Sequence, residues 1–169
     1  MGKEIERRWL VDHKKAEFII SAFKAQPYLY WQGYLSEMGN KNAIRIRQEL
    51  SWNPKEPILY FLTIKGGSGL VRREDNIPIP PETFQQLRDT MNLIGMGSVS
   101  KQRYKLKVGL HTIELDVFEG DLSPLCIAEV EFKTKEDAHL FLAPTYFGRE
   151  ITDDKRYSNM SLAWKGLPK

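Results

Sequence analysis

Residues 100–118 read SKQRYKLKVGLHTIELDVF, and their pattern predicts two β-strands. Polar and apolar residues alternate on both sides of Gly109, which is the period of a β-strand with two unlike faces. Gly109 itself stands where a turn is expected. The polar face of the first run is basic, whereas that of the second carries two carboxylates. The charged residues of these two predicted strands are Lys101, Arg103, Lys105, Lys107, Glu114 and Asp116.

The same alternation recurs along the chain and predicts eight strands. Turn sequences rich in Gly, Asn and Pro separate several of them, and four helical patterns accompany them. Eight strands with hairpin-length connections and few helices favour an antiparallel barrel or sandwich. The predicted strands span 3–11, 29–37, 42–50, 57–65, 70–79, 98–108, 110–119 and 126–133; the predicted helices span 13–25, 81–94, a segment after Thr134 that ends before Pro144, and Thr152 to about Trp164.

Composition and charge indicate an ordinary globular protein. The chain has 169 residues, 41% hydrophobic and 28% charged, and this length predicts one domain over residues 1–169. No run approaches the roughly 18 apolar residues of a membrane span, and residues 1–10 lack the apolar part of a signal peptide. A single cysteine, Cys126, cannot form an internal disulfide. We therefore expect a cytoplasmic protein with no membrane partner.

Charges of one sign share a strand face at five places. A solvated face usually mixes both signs, because like charges side by side repel. Same-sign pairs on rigid strands therefore indicate that something of the opposite charge lies between them. Carboxylate pairs suit a hard cation such as Mg²⁺ or Mn²⁺, and paired Arg and Lys side chains suit phosphate oxygens. The acidic pairs are Glu4 with Glu6, Glu114 with Asp116, and Glu129 with Glu131; the basic pairs are Arg45 with Arg47, and Lys101 with Arg103.

Two interpretations of the sorted charges remain open from the pattern alone. In the first, each charged face is simply the solvated side of an amphipathic strand. In the second, the sheet closes with these faces inward, which makes a barrel with a charged lumen wide enough for a small ligand. That ligand would be a polyanion chelated to a metal. The apolar exterior would then need cover from helices or from a second copy of the chain, so a homodimer is also left open.

Nine short motifs, in family order along nearly the whole chain, resemble the CYTH superfamily of triphosphate tunnel metalloenzymes. No single motif is decisive, but the ordered set is highly specific. The overall pattern is most similar to the small single-domain bacterial members that resemble inorganic tripolyphosphatases. The motifs are EIERRWLV at 4–11, QGYL at 32–35, IRIRQ at 44–48, TIKGG at 63–67, RRE at 72–74, KQRY at 101–104, ELDVFEGDLSPL at 114–125, EVEF at 129–132 and DDKRYSN at 153–159.

The resemblance implies a mainly β fold, an eight-stranded closed antiparallel β-barrel with a few peripheral helices. It implies that the lumen binds a triphosphate with one or two divalent cations, Mg²⁺ or Mn²⁺. It also implies a role for each matched position. Catalysis is implied for Glu4, Glu6 and Arg8; substrate binding for Arg45, Arg47, Lys65, Arg72, Lys101, Arg103 and Lys155; and metal binding for Glu4, Glu6, Glu74, Glu114, Asp116, Glu129 and Glu131.

Two positions depart from the family pattern. Arg8 replaces the signature lysine, which keeps the charge but removes a group able to give or take a proton, since arginine stays protonated. Asn76 stands where close relatives are expected to carry a carboxylate. We expect the loss of that charge to weaken a second metal site or to change the choice of substrate.

The activity that the resemblance implies is metal-dependent hydrolysis of the terminal phosphoanhydride of a triphosphate. Inorganic tripolyphosphate is the leading substrate, because little in the sequence suggests a pocket for a nucleobase or a thiazole ring. A nucleoside or thiamine triphosphatase, a class IV-type adenylate cyclase and a non-catalytic polyphosphate-binding module are the alternatives. A nucleic-acid partner is not expected, because the net charge is only +3 and Tyr104 alone interleaves the basic residues of 101–107.

Overall fold

The computed structural model describes residues 5–36, 43–66 and 73–169. Their strands form a nine-stranded antiparallel sheet, accompanied by four α-helices and two short 3-10 turns. The strands are β1 (Ile5–Val11), β2 (Pro27–Tyr34), β3 (Ala43–Ser51), β4 (Leu59–Gly66), β5 (Arg73–Pro78), β6 (Ser98–Val108), β7 (His111–Phe118), β8 (Cys126–Phe132) and β9 (Phe147–Glu150). The helices are α1 (His13–Phe23), α2 (Pro81–Leu93), α3 (Lys135–Leu140) and α4 (Asn159–Lys165), and the 3-10 turns are Gly120–Leu122 and Lys155–Tyr157.

The strand order across the sheet is β5-β4-β3-β2-β6-β7-β8-β1-β9. The first strand therefore lies between β8 and β9, so the two ends of the chain meet in one part of the sheet. The prediction of a mainly β, antiparallel fold with a few helices is confirmed. The outer strands are β5 and β9, and within the described ranges no ladder of hydrogen bonds joins them to close the sheet.

Two elements differ from the sequence prediction. The ninth strand, β9, lies outside the eight predicted ones, because its four residues are too few to show an alternating pattern and it pairs only with β1. The fourth helix begins at Asn159 and not at Thr152, because the Ser158 side chain accepts a hydrogen bond from the backbone amide of Ser161 and caps it there. The parts of the predicted strands at residues 3–4, 37, 42 and 70–72 lie outside the described residues.

Each strand has one apolar face, and three helices cover it. Because side chains alternate along a strand, this face carries the residues between the charged ones. Helices α1 and α3 pack over β1, β6, β7 and β8, while α2 packs over β2, β3 and β4. Each fully buried Val, Leu, Ile or Met side chain stabilises the fold by about 1.5–3 kcal/mol. Large, fully buried side chains of these two clusters include Ile46, Met91, Leu106, Ile113, Leu115 and Val130.

The fourth helix lies on the other face of the sheet, at one end of the charged row. Val99, Phe118 and Ile127 belong to the same face as the predicted site residues, and they pack against Leu162 of α4 and the buried Ile151. This small apolar cluster gives the charged face a closed, dry end. Within residues 5–36, 43–66 and 73–169, every helix is too short or too polar to cross a membrane.

A close backbone approach fixes α4 to the start of β6. At Gly97 a side-chain carbon would collide with the carbonyl oxygen of Ala163, and the Gly97 carbonyl accepts a hydrogen bond from the Tyr34 amide. Glycine is therefore required at this contact, because the obstacle is helix backbone and cannot rotate away.

We predict that Gly97→Ala destabilises the protein by about 1–3 kcal/mol, the usual cost of overpacking, because α4 has to move. Urea denaturation followed by circular dichroism measures the change. The matched control is Ser98→Ala at the exposed next position, expected to change the free energy of unfolding by less than about 0.5 kcal/mol. Equal stability of both variants would show that α4 does not pack as described.

Candidate active site

The charged face of the sheet lines a cleft of about 570 Å³. Seven strands contribute side chains to it, and the segment that precedes α4 lies along its wall. The cleft gathers most of the residues that the sequence predicted as a site. The lining residues are Glu6, Arg8, Tyr30, Gln32, Tyr34, Ala43, Arg45, Arg47, Asn76, Lys101, Arg103, Glu114, Glu129, Glu131, Thr152, Asp153, Asp154, Lys155, Ser158, Asn159 and Met160.

Five predicted site residues are not among this lining. Glu4 and Arg72 lie outside the described residues, and for Lys65 and Glu74 the structure describes only the backbone, where the two positions pair across β4 and β5. Asp116 is described but does not line the cleft: it is fully buried beneath it. Asn76 does line the cleft, and its Oδ1 accepts a hydrogen bond of 2.7 Å from the Thr63 hydroxyl.

Carboxylates from β1, β7 and β8 form one wall of the cleft. The register places Glu6 opposite Glu131, and Glu114 opposite Glu129. Like charges directly opposite each other destabilise a sheet unless a cation compensates them. Oxygen donors of this kind are the ligands that Mg²⁺ and Mn²⁺ prefer, so the chemistry of this wall fits a divalent cation.

Cations of the protein itself already contact the inner part of that wall. Arg8 Nε lies 3.0 Å from Glu129 Oε1, and Arg103 Nη2 lies 2.7 Å from Glu129 Oε2. Arg103 Nη1 also pairs with Glu114. Among the described residues no three His, Cys, Asp or Glu side chains converge closely enough to hold a metal ion. Glu6 and Glu131 are the most exposed residues of this wall.

Basic side chains from β3 and β6 line another part of the cleft, the basic wall, and a buried carboxylate holds two of them. Asp116 accepts a hydrogen bond of 2.5 Å from Lys101 Nζ and one of 2.6 Å from Arg103 Nε. A second bond from Arg103, 2.7 Å long, reaches the other Asp116 oxygen. Lys101 is only 3% exposed and Asp116 not at all, so this pairing takes place in a poorly solvated environment.

The titration of these groups reflects that environment. Burial by itself raises the pKa of Asp116, but the positive charges of Arg103 and Lys101 outweigh it and leave this pKa below its usual value. Burial also lowers the pKa of Lys101, and the attraction of Asp116 offsets part of that effect. For Arg103, burial is outweighed by Asp116, Glu129 and Glu114, which together raise its pKa. Asp116 is therefore the ionised counter-charge beneath the basic wall.

Sequence reasoning missed the contribution of β2, which presents two tyrosines to the cleft. The ring of Tyr30 lies between two guanidinium groups, 5.8 Å from Arg47 and 5.4 Å from Arg103, measured from ring centroid to guanidinium carbon. Tyr34 is nearly buried, and its hydroxyl accepts a hydrogen bond from Gln32. Burial raises the pKa of both phenols to about 12, so they stay neutral. Tyr30, Gln32 and Tyr34 alternate in the sequence and so share one strand face, but the site was sought among charged residues only.

These features form a cleft with acidic and basic walls, closed at one end by an apolar cluster. Comparison with known proteins agrees with it. Residues 2–154 match the family model described as CYTH domain. An inorganic triphosphatase from Nitrosomonas europaea is 40% identical over 162 residues, which cover 95% of this chain and 96% of the relative.

A second relative, an inorganic triphosphatase from Acetivibrio thermocellus, is 33% identical over 163 residues, which cover 96% of this chain and 94% of that protein. Among solved structures, the crystal structure of an inorganic triphosphatase superposes with a TM-score of 0.69 at 33% identity, covering 100% of this chain and 99% of the other. The resemblance drawn from the nine motifs is confirmed. This chain belongs to the CYTH domain family.

Proposed function

We propose that this protein hydrolyses the terminal phosphoanhydride of inorganic tripolyphosphate with Mg²⁺ or Mn²⁺ bound in the cleft. The observation that carries the proposal is that one cleft gathers carboxylates from β1, β7 and β8 and basic side chains from β3 and β6. A metal-chelated polyanion needs both walls at once. The two relatives described above, both inorganic triphosphatases, support the same activity.

The basic wall binds and aligns the substrate in this proposal. Arg45 and Arg47 offer planar groups that engage phosphate oxygens with two parallel hydrogen bonds, while Arg103 and Lys101, both held by carboxylates, add positive charge. Fixed cations in a poorly solvated cleft stabilise the charge that moves onto the leaving phosphate oxygen. Tyr30 keeps the Arg47 and Arg103 guanidinium groups apart, because its ring lies between them.

The carboxylate wall supplies the metal site and orients water. Glu6, Glu129 and Glu131 are the proposed ligands among the described residues, and Glu4 and Glu74 are added by the resemblance alone. When bound there, a divalent cation would neutralise phosphate charge and act as a Lewis acid. A carboxylate on this wall holds the attacking water and accepts its proton, in line with the terminal phosphorus.

The lining favours inorganic tripolyphosphate over an organic triphosphate. Of the two tyrosines that line the cleft, Tyr34 is nearly buried and Tyr30 already contacts two guanidinium groups. Neither ring is placed to stack on a nucleobase or a thiazole. We also propose that the sheet surrounds the substrate as a tunnel, with the apolar cluster at Val99 and Leu162 closing one end.

We predict that the purified protein releases phosphate from tripolyphosphate in the presence of Mg²⁺ or Mn²⁺ and not in EDTA. ATP and thiamine triphosphate, offered under the same conditions, should turn over more slowly, because no described ring stacks on their organic parts. Phosphate release and chromatography of the nucleotide products measure both effects.

The same assay separates the alternatives. Cyclic AMP and pyrophosphate from ATP would identify a cyclase, whereas ADP and phosphate identify a hydrolase. Tripolyphosphate that binds but never turns over with any metal would contradict the proposal in favour of a binding module.

We predict that Asp116→Asn weakens both the fold and substrate binding. Removing one partner of a buried ion pair costs about 3–5 kcal/mol, because the other charges stay buried without compensation. Lys101 and Arg103 would also lose the negative charge and one of the two oxygens that hold them, so KM for tripolyphosphate should rise. Urea denaturation and steady-state kinetics measure the two effects. The control is Asp121→Asn at an exposed position, and equal behaviour of both variants would contradict the role given to Asp116.

A further inference from the structure

Arg8 connects the N-terminal strand to the wall of the cleft and to the chain's C-terminal part. Its side chain lines the cleft, and the residue is only 8% exposed. Nε donates a hydrogen bond of 3.0 Å to Glu129 Oε1, and Nη2 donates one of 2.8 Å to the backbone carbonyl of Tyr157. One guanidinium therefore donates to two acceptors, on Glu129 and Tyr157, that are 28 residues apart in the chain.

The backbone of Arg8 contacts the same C-terminal region. Its amide donates to the Thr152 hydroxyl at 3.1 Å, and its carbonyl accepts from the Ile151 amide at 2.8 Å. We call residues 151–158 the C-terminal segment. Three of the four hydrogen bonds made by Arg8 end on this segment, and the fourth ends on the carboxylate wall.

The C-terminal segment shapes the cleft, and its internal bonds are short-range: the Asp154, Tyr157 and Ser158 amides donate within it, and Arg156 pairs with Asp154. Thr152, Lys155 and Ser158 line the cleft. Between Ile151, which is buried, and Leu162 of α4, the segment forms turns and one 3-10 turn whose residues are exposed or half-buried. Such segments open locally at low cost unless side chains from the rigid sheet hold them.

We propose that Arg8 is a positioning residue, whose guanidinium fastens the C-terminal segment to Glu129 and so holds Lys155 beside the cleft. This differs from a catalytic role at position 8, and it uses what arginine offers in place of lysine: donors that diverge from one rigid plane. A lysine carries its donors on one nitrogen and lacks the two separate donor nitrogens that Arg8 uses for these two bonds. The consequence for turnover rests on the proposed function, but the structural consequence does not.

Hydrogen exchange of the full-length protein without substrate tests the structural part. Arg8→Met removes both side-chain bonds, and Arg8→Lys keeps the charge beside Glu129. In both variants, amides of residues 151–158 should exchange faster, by about tenfold in Arg8→Met, which corresponds to the loss of one hydrogen bond from a charged group. Amides of β6 and β7 should be unchanged.

Arg7→Lys is the matched control. Arg7 lies next to Arg8 on the opposite face of β1, and its guanidinium also binds several acceptors: the Glu150 carboxylate and the carbonyls of Ala138 and Phe141. Glu150 also accepts a hydrogen bond from the Thr152 hydroxyl, so the comparison is made over 155–158, where the same substitution should leave exchange close to that of the wild type. If Arg8→Met fails to fold, Arg8→Lys and Thr152→Val still test the proposal, since Thr152→Val loosens the segment with the guanidinium intact.

Kinetics with tripolyphosphate separate positioning from direct participation. A loosened segment displaces Lys155, so KM should rise more than kcat falls, in Arg8→Lys and, to a smaller extent, in Thr152→Val. Unchanged exchange over 151–158 in Arg8→Lys and Arg8→Met would overturn the proposal, whatever the activity. A fall in kcat for Arg8→Lys with wild-type exchange would also overturn it and place Arg8 at the reacting phosphate. A wild-type protein without triphosphatase activity would contradict the proposed function and leave the exchange result standing.

Discussion

The buried ion cluster of Asp116 with Lys101 and Arg103 is the constraint on which the site depends. Taking such charges out of water costs several kcal/mol each, so they persist only where every charge is paired and hydrogen-bonded. Antiparallel pairing places Arg103 directly opposite Asp116, and all three side chains share one face. Glu114 and Glu129 also contact Arg103, so the cluster is part of a network in which every cation contacts a carboxylate. These contacts hold Lys101 and Arg103 in fixed positions at the cleft.

The charged wall is possible because the two faces of the sheet differ: one is apolar and packed against helices, and the other lines the cleft. The apolar face packs against α1, α2 and α3, which frees the other face from forming the main core. Acidic strands β1 and β8 pair with each other, and basic strand β6 lies two places from β8. Because β6 also pairs with the acidic strand β7, the basic and acidic walls adjoin along one sheet and line one cleft, with the apolar cluster of α4 at one end. Function follows from which strands are neighbours, more than from any single residue.

Much of this arrangement could be predicted from sequence. Alternation over 98–118 gave the hairpin and the face of every charged residue, and the ordered motifs gave the family. Alternation does not show how deeply each side chain is buried, however. Glu114 and Asp116 occupy equivalent places in the pattern, yet Glu114 lines the cleft and Asp116 lies beneath it. The bond from Arg8 to the Tyr157 carbonyl was also beyond prediction, because a backbone acceptor far along the chain leaves no mark in side-chain pattern.

Calorimetric titration of tripolyphosphate, with Mg²⁺ and in EDTA, into the wild type and into a Glu6→Gln/Glu131→Gln variant tests whether the carboxylate wall binds the metal. The control is Glu136→Gln, on the exposed first turn of α3. We expect Mg²⁺ to tighten binding to the wild type and to the control. In the double variant the metal-free binding should persist, because the basic wall is intact, while the gain from Mg²⁺ is lost. The same gain from Mg²⁺ in all three proteins would show that the metal does not bind this wall.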